Sequence, residues 1–166
     1  MSLFGLPISS FFGQQTGLSA TLFQQAGPTS AGDPLGALRR AESNTAEKIA
    51  DKADEPQIAR ELARFETAVK RARSVDELLR NRDAMRVILA ANGLESQANA
   101  QGLVRRVLTS DLRNPESAAF QMGRVNGNWL STARDLDLNR QGLRVVQSDV
   151  TIARLKIAYA QTRWEE

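Results

Sequence analysis

The sequence predicts an all-α protein, an irregular bundle of about seven short to medium helices behind an uncharged N-terminal tail. Three observations predict this fold class. Helix-starting signals recur from Asp33 onward, apolar residues recur at helical spacings of three and four, and runs with β character are almost absent. The only short run with β character extends from Leu143 to Gln147, and it fits an extended linker equally well.

The composition changes abruptly at Asp33, which predicts a tail over residues 1–32 and a helical domain over residues 33–166. The tail has no charged side chain, yet it holds four of the six phenylalanines. Its apolar run is interrupted at Gly5, Pro7 and Gly13 and lacks a basic leader, so it does not fit a secretory signal peptide. Disordered tails stay soluble through charge and low hydrophobicity, and this segment has neither.

The first two predicted helices begin at proline. Asp33-Pro34 is an N-cap followed by proline at the first helical position, and it predicts a helix that runs to about Lys52. Glu55-Pro56 starts the second helix. The apolar residues of that helix form one stripe at spacings of four, three and four: Ile58, Leu62, Phe65 and Val69.

The following helices are delimited by polar caps. Ser74 and Glu77 form a capping box, in which we expect Glu77 to bond the Ser74 amide. We expect Asn81 to cap the next helix, which ends at Asn92-Gly93 because glycine tolerates the left-handed conformation. Another helix follows, and its apolar residues are Leu103, Val104, Val107 and Leu108.

The C-terminal third is predicted to contain three helices. Asn114-Pro115 predicts the start of the first, which Gly123 and Asn126-Gly127 are expected to interrupt. Trp129 belongs to the second helix, and we expect both tryptophans to be core anchors rather than a binding platform. The last helix runs from Ser148 to about Trp164. One face carries Val150, Ala153, Ile157, Ala160 and Trp164, with Ile152, Leu155 and Tyr159 beside it.

Composition also bounds the chemistry. The chain has no cysteine and no histidine, so thiolate chemistry, the commonest metal ligand and the usual acid/base group near neutral pH are missing. Ser110 precedes Asp111, but no base activates the serine, and capping the next turn is the expected role. No stretch approaches the roughly 20 apolar residues of a membrane span. We therefore expect no catalytic residue, cofactor, metal or small-molecule substrate, with a carboxylate-based enzyme as the remaining catalytic alternative.

The excess of basic over acidic side chains does not predict nucleic-acid binding. The formal net charge is +3, and the stretch from Arg60 to Arg86 carries eight basic and five acidic side chains. Most of these charges lie at helical spacing from an opposite sign, as Glu66 and Lys70 do. This pattern is typical of a solvated helix face rather than a phosphate-binding stripe.

One run has the beginning of a calcium-loop pattern. Asp135, Asp137 and Asn139 provide oxygen ligands at the first, third and fifth positions of such a loop. The sixth position should be glycine but is Arg140, and the twelfth should be glutamate but is Val146. The sequence therefore predicts no calcium site, and the intervening leucines are expected in the core.

Four blocks between residue 63 and about residue 138 carry a family resemblance: residues 65–79, 89–94, 104–108 and 110–118. Together they resemble a family of small all-helical proteins of undescribed biochemical function, found mainly in alphaproteobacteria and encoded among flagellar genes. Asn92 departs from that pattern, where an aromatic residue is expected. The resemblance implies a flagellum-associated interaction protein, and the family supplies no catalytic residues.

The predicted function is that of a non-enzymatic structural or assembly protein of the bacterial flagellum. It would act in the rod, hook or basal body region, in the periplasmic or axial part after export, through contacts with flagellar subunits or with further copies of itself. The alternative is a cytoplasmic regulator or export chaperone that binds a flagellar partner. An uncharged N-terminus rich in Ser, Thr, Gln and Gly is common in flagellar axial and export-substrate proteins.

The tail is the predicted partner-binding segment. Each Phe or Leu side chain contributes about 1.5 to 3 kcal/mol when fully buried, so an apolar segment of this kind is expected to be covered. We favour insertion between neighbouring subunits or against another protein, with the last helix as a plausible neighbour; the alternative is that the tail folds back on its own domain. The predicted partner-binding residues are Phe4, Phe11, Phe12, Leu18, Leu22 and Phe23.

Overall fold

The structure, a computed structural model, describes residues 34–165, and the regular secondary structure of this part is entirely helical. The predicted fold class is therefore confirmed. A 3₁₀ helix, Glu95–Gln97, lies between the α-helices Arg82–Ala91 and Gln101–Leu108. The α-helices are α1 Pro34–Asp54, α2 Pro56–Arg71, α3 Val75–Arg80, α4 Arg82–Ala91, α5 Gln101–Leu108, α6 Ala118–Val125, α7 Gly127–Leu136, α8 Leu138–Gln141 and α9 Asp149–Glu165.

Backbone proximity divides the chain into residues 1–44 and residues 45–166, with the boundary inside α1. Among the described residues, every member of the hydrophobic core belongs to the second unit. The predicted boundary after residue 32 lies outside the described residues, as does the predicted cap at Asp33, and both stay predictions. None of the helices in residues 34–165 has the length and apolar character that a membrane crossing requires.

The core is centred on α4, which packs against both α2 and α9. Six of its ten residues are buried, among them Ile88 and Leu89. From α2 the predicted stripe points into this core, and Phe65 and Val69 are completely inaccessible to solvent. The period-based prediction for α2 is thus confirmed, because all four residues of its stripe are buried.

The last helix spans the predicted range and buries mainly the second of its two apolar faces, together with Ala160 of the first. Trp129 in α7 is 2% exposed, as expected of a core anchor, whereas Trp164 is 40% exposed and its prediction as a core anchor is wrong. Packing against α4 selects the neighbouring face, so Val150 and Ile157 point to solvent. The buried residues of α9 are Thr151, Ile152, Leu155, Tyr159 and Ala160.

Two predicted N-caps are present. The Ser74 hydroxyl accepts a hydrogen bond from the Glu77 amide at 3.1 Å, and the Asn81 side chain accepts one from the Ala84 amide at 3.0 Å. The return bond of the capping box differs by one residue, because the Glu77 carboxylate accepts from the Arg73 amide rather than from that of Ser74. Backbone amides in the first turn of a helix have no acceptor within that helix. In α3 and α4, side chains accept from such amides, as the sequence pattern predicts.

The end of α4 follows the predicted glycine cap. Gly93 has a φ of 68°, and its amide donates to the Ala90 carbonyl at 3.0 Å. The Leu94 amide donates to the Leu89 carbonyl at 2.8 Å, which completes a Schellman motif. Leu89 and Leu94 are both buried, so the apolar contact that usually accompanies this motif secures the end of the helix.

The helix predicted at Asn114-Pro115 begins later than expected. α6 starts at Ala118, and the preceding residues form a turn in which the Asn114 side chain accepts from the Glu116 amide at 2.9 Å. Asparagine side chains stabilise such turns as readily as they cap helices, which explains the misplaced start.

Gly123 lies inside α6 and does not interrupt it; the break is at Asn126. A Cβ atom at Gly123 would lie 2.7 Å from the Cβ of Leu130 in α7. Such a distance is far below van der Waals contact, so the missing side chain lets α6 and α7 pack closely.

The run with β character forms a succession of turns between α8 and α9. Val146 is completely buried, and the Gln147 side chain donates to the carbonyls of Val69 and Ala72, both at 2.9 Å. These carbonyls lie at the C-terminal end of α2, where backbone acceptors have no partner within the helix. Gln147 therefore caps α2 from a position more than 70 residues away.

We expect Gln147→Ala to lower the free energy of unfolding by about 1 to 2 kcal/mol, because two partly buried acceptors lose their donor. Chemical denaturation followed by far-ultraviolet circular dichroism measures the change. Gln161→Ala is the matched control, since Gln161 is exposed on α9 and bonds only Glu165. Equal losses in the two variants would contradict the capping role of Gln147.

Candidate functional site: an apolar groove between α1 and α9

The first helix does not bury any of its residues. α1 is 21 residues long, and all of its side chains remain exposed or only partly buried. A helix of this length in a globular protein ordinarily packs an apolar stripe on the core. Its second half does carry such a stripe, with one-face spacing, at Ala46, Ile49, Ala50 and Ala53.

This stripe forms one wall of a groove of about 510 Å³. We call it the apolar groove. Ten residues line it, eight of them apolar: Ala46, Ile49, Ala50, Ala53 and Asp54 of α1, Leu62 of α2, and Ala153, Lys156, Ile157 and Ala160 of α9. All of them belong to the second unit of the chain.

The floor of the apolar groove is buried and its walls are open. Leu62 and Ala160 are 4% and 0% exposed, whereas Ile157 is 59% exposed. Ala153, Ile157 and Ala160 follow one another at spacings of four and three, so they lie on one face of α9. Small side chains beside a branched aliphatic residue leave room for another helix to approach. The groove can therefore accept a helix from outside the second unit.

Of the two charged residues that line the groove, Lys156 forms an ion pair and Asp54 is exposed. The Lys156 ammonium lies 3.0 Å from the Glu66 carboxylate, whose other oxygen lies 2.8 Å from the Lys70 ammonium. Hydrogen bonds from Lys70 and then from Lys156 hold the pKa of Glu66 below its usual value. Glu66 is therefore ionised at neutral pH and holds Lys156 toward α2, which leaves the groove predominantly apolar.

A polar cluster fixes α9, and with it one wall of the groove. The Tyr159 hydroxyl donates to the Glu61 carboxylate of α2. Arg163 lies 4.8 Å from the centre of the Tyr159 ring and pairs with Glu95 of the 3₁₀ helix. Burial, and next the bond to Glu61, raise the pKa of Tyr159, so the phenol stays protonated and donates at neutral pH. Sequence periodicity carried no signal for this cluster, because its members lie on three separate elements.

Two of the three residues of the calcium-loop pattern bond other protein groups, whereas a buried carboxylate oxygen of Asp137 has no hydrogen-bond partner among the described residues. The Asp135 carboxylate accepts from Arg154 at 2.9 Å, and the Asn139 amide donates to the Thr109 carbonyl at 2.9 Å. Asp137 has a φ of 43° at the junction of α7 and α8. Leu136 and Leu138 are buried, as predicted. Within residues 34–165, no three acidic side chains are grouped closely enough to hold a metal ion.

Ser110 has a capping role, as predicted, and Asp111 bonds the turn that follows it. The Ser110 hydroxyl accepts from the Ala119 amide in the first turn of α6 at 3.1 Å and donates to the Val107 carbonyl at 2.6 Å. The Asp111 carboxylate accepts from the Arg113 amide at 2.9 Å. Ser110 therefore joins the end of α5 to the start of α6.

The predicted partner-binding residues lie outside the described residues: Phe4, Phe11, Phe12, Leu18, Leu22 and Phe23. The apolar groove is a surface feature that the sequence patterns did not predict. Its signal was present in the spacing of Ala46, Ile49, Ala50 and Ala53, but alanine contributes little to an apolar pattern and polar residues surround the stripe.

Residues 91–166 match a protein family of unknown function, DUF1217. Among curated proteins, none matches this chain. A crystal structure of a protein from Agrobacterium tumefaciens is similar in fold, with a TM-score of 0.67 and 20% sequence identity. The similarity covers 78% of this chain but 55% of that one, so this chain spans little more than half of its length.

These comparisons confirm part of the predicted resemblance. A family of unknown function matches the C-terminal half, and a protein of similar fold occurs in an alphaproteobacterium. The matched range overlaps the last three of the four sequence blocks. At 20% identity the likeness to the solved structure shows the fold alone.

Proposed function

We propose that this protein is a non-enzymatic structural or assembly component that acts through contacts with other proteins. The apolar groove is the observation that carries the proposal. It combines a long helix without a single buried residue and an exposed Ile157 on the facing helix. Covering Ile157 alone contributes on the order of 1 kcal/mol, which gives a partner a reason to bind there.

The occupant that fits the groove is an amphipathic helix of a partner subunit. Both walls repeat apolar residues at spacings of three and four, the spacing at which a third helix interdigitates with two others. The alanines on both walls permit close approach, and Ile157 can insert between side chains of the incoming helix. Such helix-in-groove recognition uses one apolar stripe as the anchor of the partner.

We further propose that this partner is flagellar. The support comes from the four sequence blocks that resemble a family encoded among flagellar genes, and from the similar fold in an alphaproteobacterium. The protein would then lie in the rod, hook or basal body region after export, in contact with flagellar subunits or other copies of itself. Recovery with purified hook and basal body fractions of the native cell supports this location. Exclusive recovery in the cytosol would instead support the regulator or export chaperone.

Ile157→Glu is expected to remove the protein from the flagellar fraction, because a carboxylate would be buried without a partner in the covered groove. Immunoblots of the purified fraction against whole cells measure the loss. The matched control is Val150→Glu, which places the same charge on the same helix at a site 81% exposed and outside the groove lining. Both variants should melt close to the wild type. Retention of Ile157→Glu at the wild-type level would show that the groove is not the contact.

A further inference from the structure

A second concave surface lies between α4 and α5, and we call it the arginine pocket. It has a volume of about 420 Å³. Three arginines line it, Arg80, Arg82 and Arg86, together with apolar residues of both helices. It shares no lining residue with the apolar groove. An inference about its ligand therefore does not depend on the function proposed above.

The arginine pocket has no acidic residue of its own, although Arg86 also borders a neighbouring depression lined by Glu55, Glu61 and Glu95. Neither Arg82 nor Arg86 forms an ion pair within the part of the chain that the structure describes. Arg80 lies 3.8 Å from the Asp76 carboxylate, which Arg105 approaches more closely, at 2.6 Å. Asp83 follows Arg82 in the chain but does not line the pocket.

The position of Arg82 is itself unfavourable for the helix. It is the first residue of α4, where the helix dipole places partial positive charge. Cations at this end weaken a helix, whereas anions stabilise it. An anion in the pocket would interact favourably with the amino end of α4 and with both guanidinium groups.

The floor of the pocket is apolar. Met85, Leu89 and Val104 are at most 8% exposed, and they line the pocket together with the polar residues Asn99 and Gln101. Methionine adapts its shape to different apolar partners. A ligand that uses the whole pocket therefore carries both negative charge and an apolar group.

We infer that the arginine pocket binds an acidic segment of another protein, with carboxylates on Arg82 and Arg86 and an apolar side chain on the floor. Arg82 and Arg86 are one helical turn apart, about 6 Å between their Cβ atoms. Two carboxylates at the same spacing on a partner helix match them. Arginine is suited to this role because its planar fork pairs with carboxylates in a bidentate geometry.

Two other anionic partners fit the pocket less well. Single-stranded nucleic acids are held by aromatic side chains on which bases stack, and none of the aromatic residues within 34–165 lines this pocket. Peripheral membrane binding uses apolar and basic side chains that project into the interface, whereas these apolar residues lie at the bottom of a cavity. Both remain as outcomes of the experiment.

The test uses the full chain and a fluorescently labelled helical peptide, with two glutamates four residues apart and a leucine three residues after the second. Fluorescence anisotropy measures the Kd. We expect R82A/R86A to raise the Kd by about tenfold or more, since two charge-assisted contacts are lost. R124A/R144A is the matched control, because both of these arginines are exposed and neither lines the pocket. Its Kd should equal that of the wild type.

Four results would overturn the inference: no binding by the wild type, an unchanged Kd in R82A/R86A, equal binding of a peptide with glutamine in place of glutamate, or tighter binding of an oligonucleotide or of phosphatidylglycerol vesicles. Circular dichroism checks that the variants fold. Removing cations from the amino end of α4 should not destabilise it. R82Q/R86Q, which keeps long polar side chains, replaces the alanine pair if that pair unfolds.

Discussion

Phe65→Ala is expected to lower the free energy of unfolding by about 3 to 5 kcal/mol. The Phe65 ring is completely buried in α2, where it faces the core centred on α4. Truncation removes the transfer free energy of the ring and leaves a cavity that close-packed neighbours fill only in part. A single domain has only about 5 to 15 kcal/mol of stability, so this one change removes a large share of it.

Phe120→Ala is the matched control for this prediction. Phe120 lies on α6, is only partly buried and has the Arg134 guanidinium 5.6 Å from its ring centre. Truncation of Phe120 leaves a space that is open to solvent, so we expect the free energy of unfolding to fall by only about 1 to 2 kcal/mol. Denaturant titration of both variants gives the comparison. If the two losses are equal, α2 does not hold the position in the core that the structure assigns to it.

Changing Phe4, Phe11, Phe12 and Phe23 together to serine is expected to abolish co-purification with the partner and incorporation into its assembly. Each phenylalanine contributes about 1.5 to 3 kcal/mol when buried, so four of them dominate the affinity of an uncharged segment. The melting temperature of the helical domain should stay almost unchanged, because the helices described at residues 34–165 pack a core of their own between Ile58 and Tyr159.

The comparison for the tail is a second quadruple variant that changes only polar positions of the same segment: Ser9, Ser10, Thr16 and Ser19 to alanine. It should bind as the wild type does. Calorimetry of the isolated monomer shows whether the tail binds a partner or folds back on its own domain. A melting temperature many degrees lower in the phenylalanine variant would assign the tail to the core of its own domain.

Local signals in the sequence predicted most helix boundaries correctly. The Asn81 cap and the Gly93 cap depend on groups within a few residues of each other, so the pattern alone specifies them. The burial of the α2 stripe was equally predictable. α2 has a single apolar face, and a helix of this kind packs that face against the core.

Tertiary structure decided the remaining features. α9 carries two adjacent apolar faces, and only packing against α4 determined that Leu155 is buried while Ile157 stays exposed in the groove. Gln147 could not be identified as the cap of α2, because its acceptors are more than 70 residues away. The arginine pocket likewise arises only when α4 and α5 meet. Periodicity reports which residues share a face, whereas the neighbours of that face depend on how the whole chain packs.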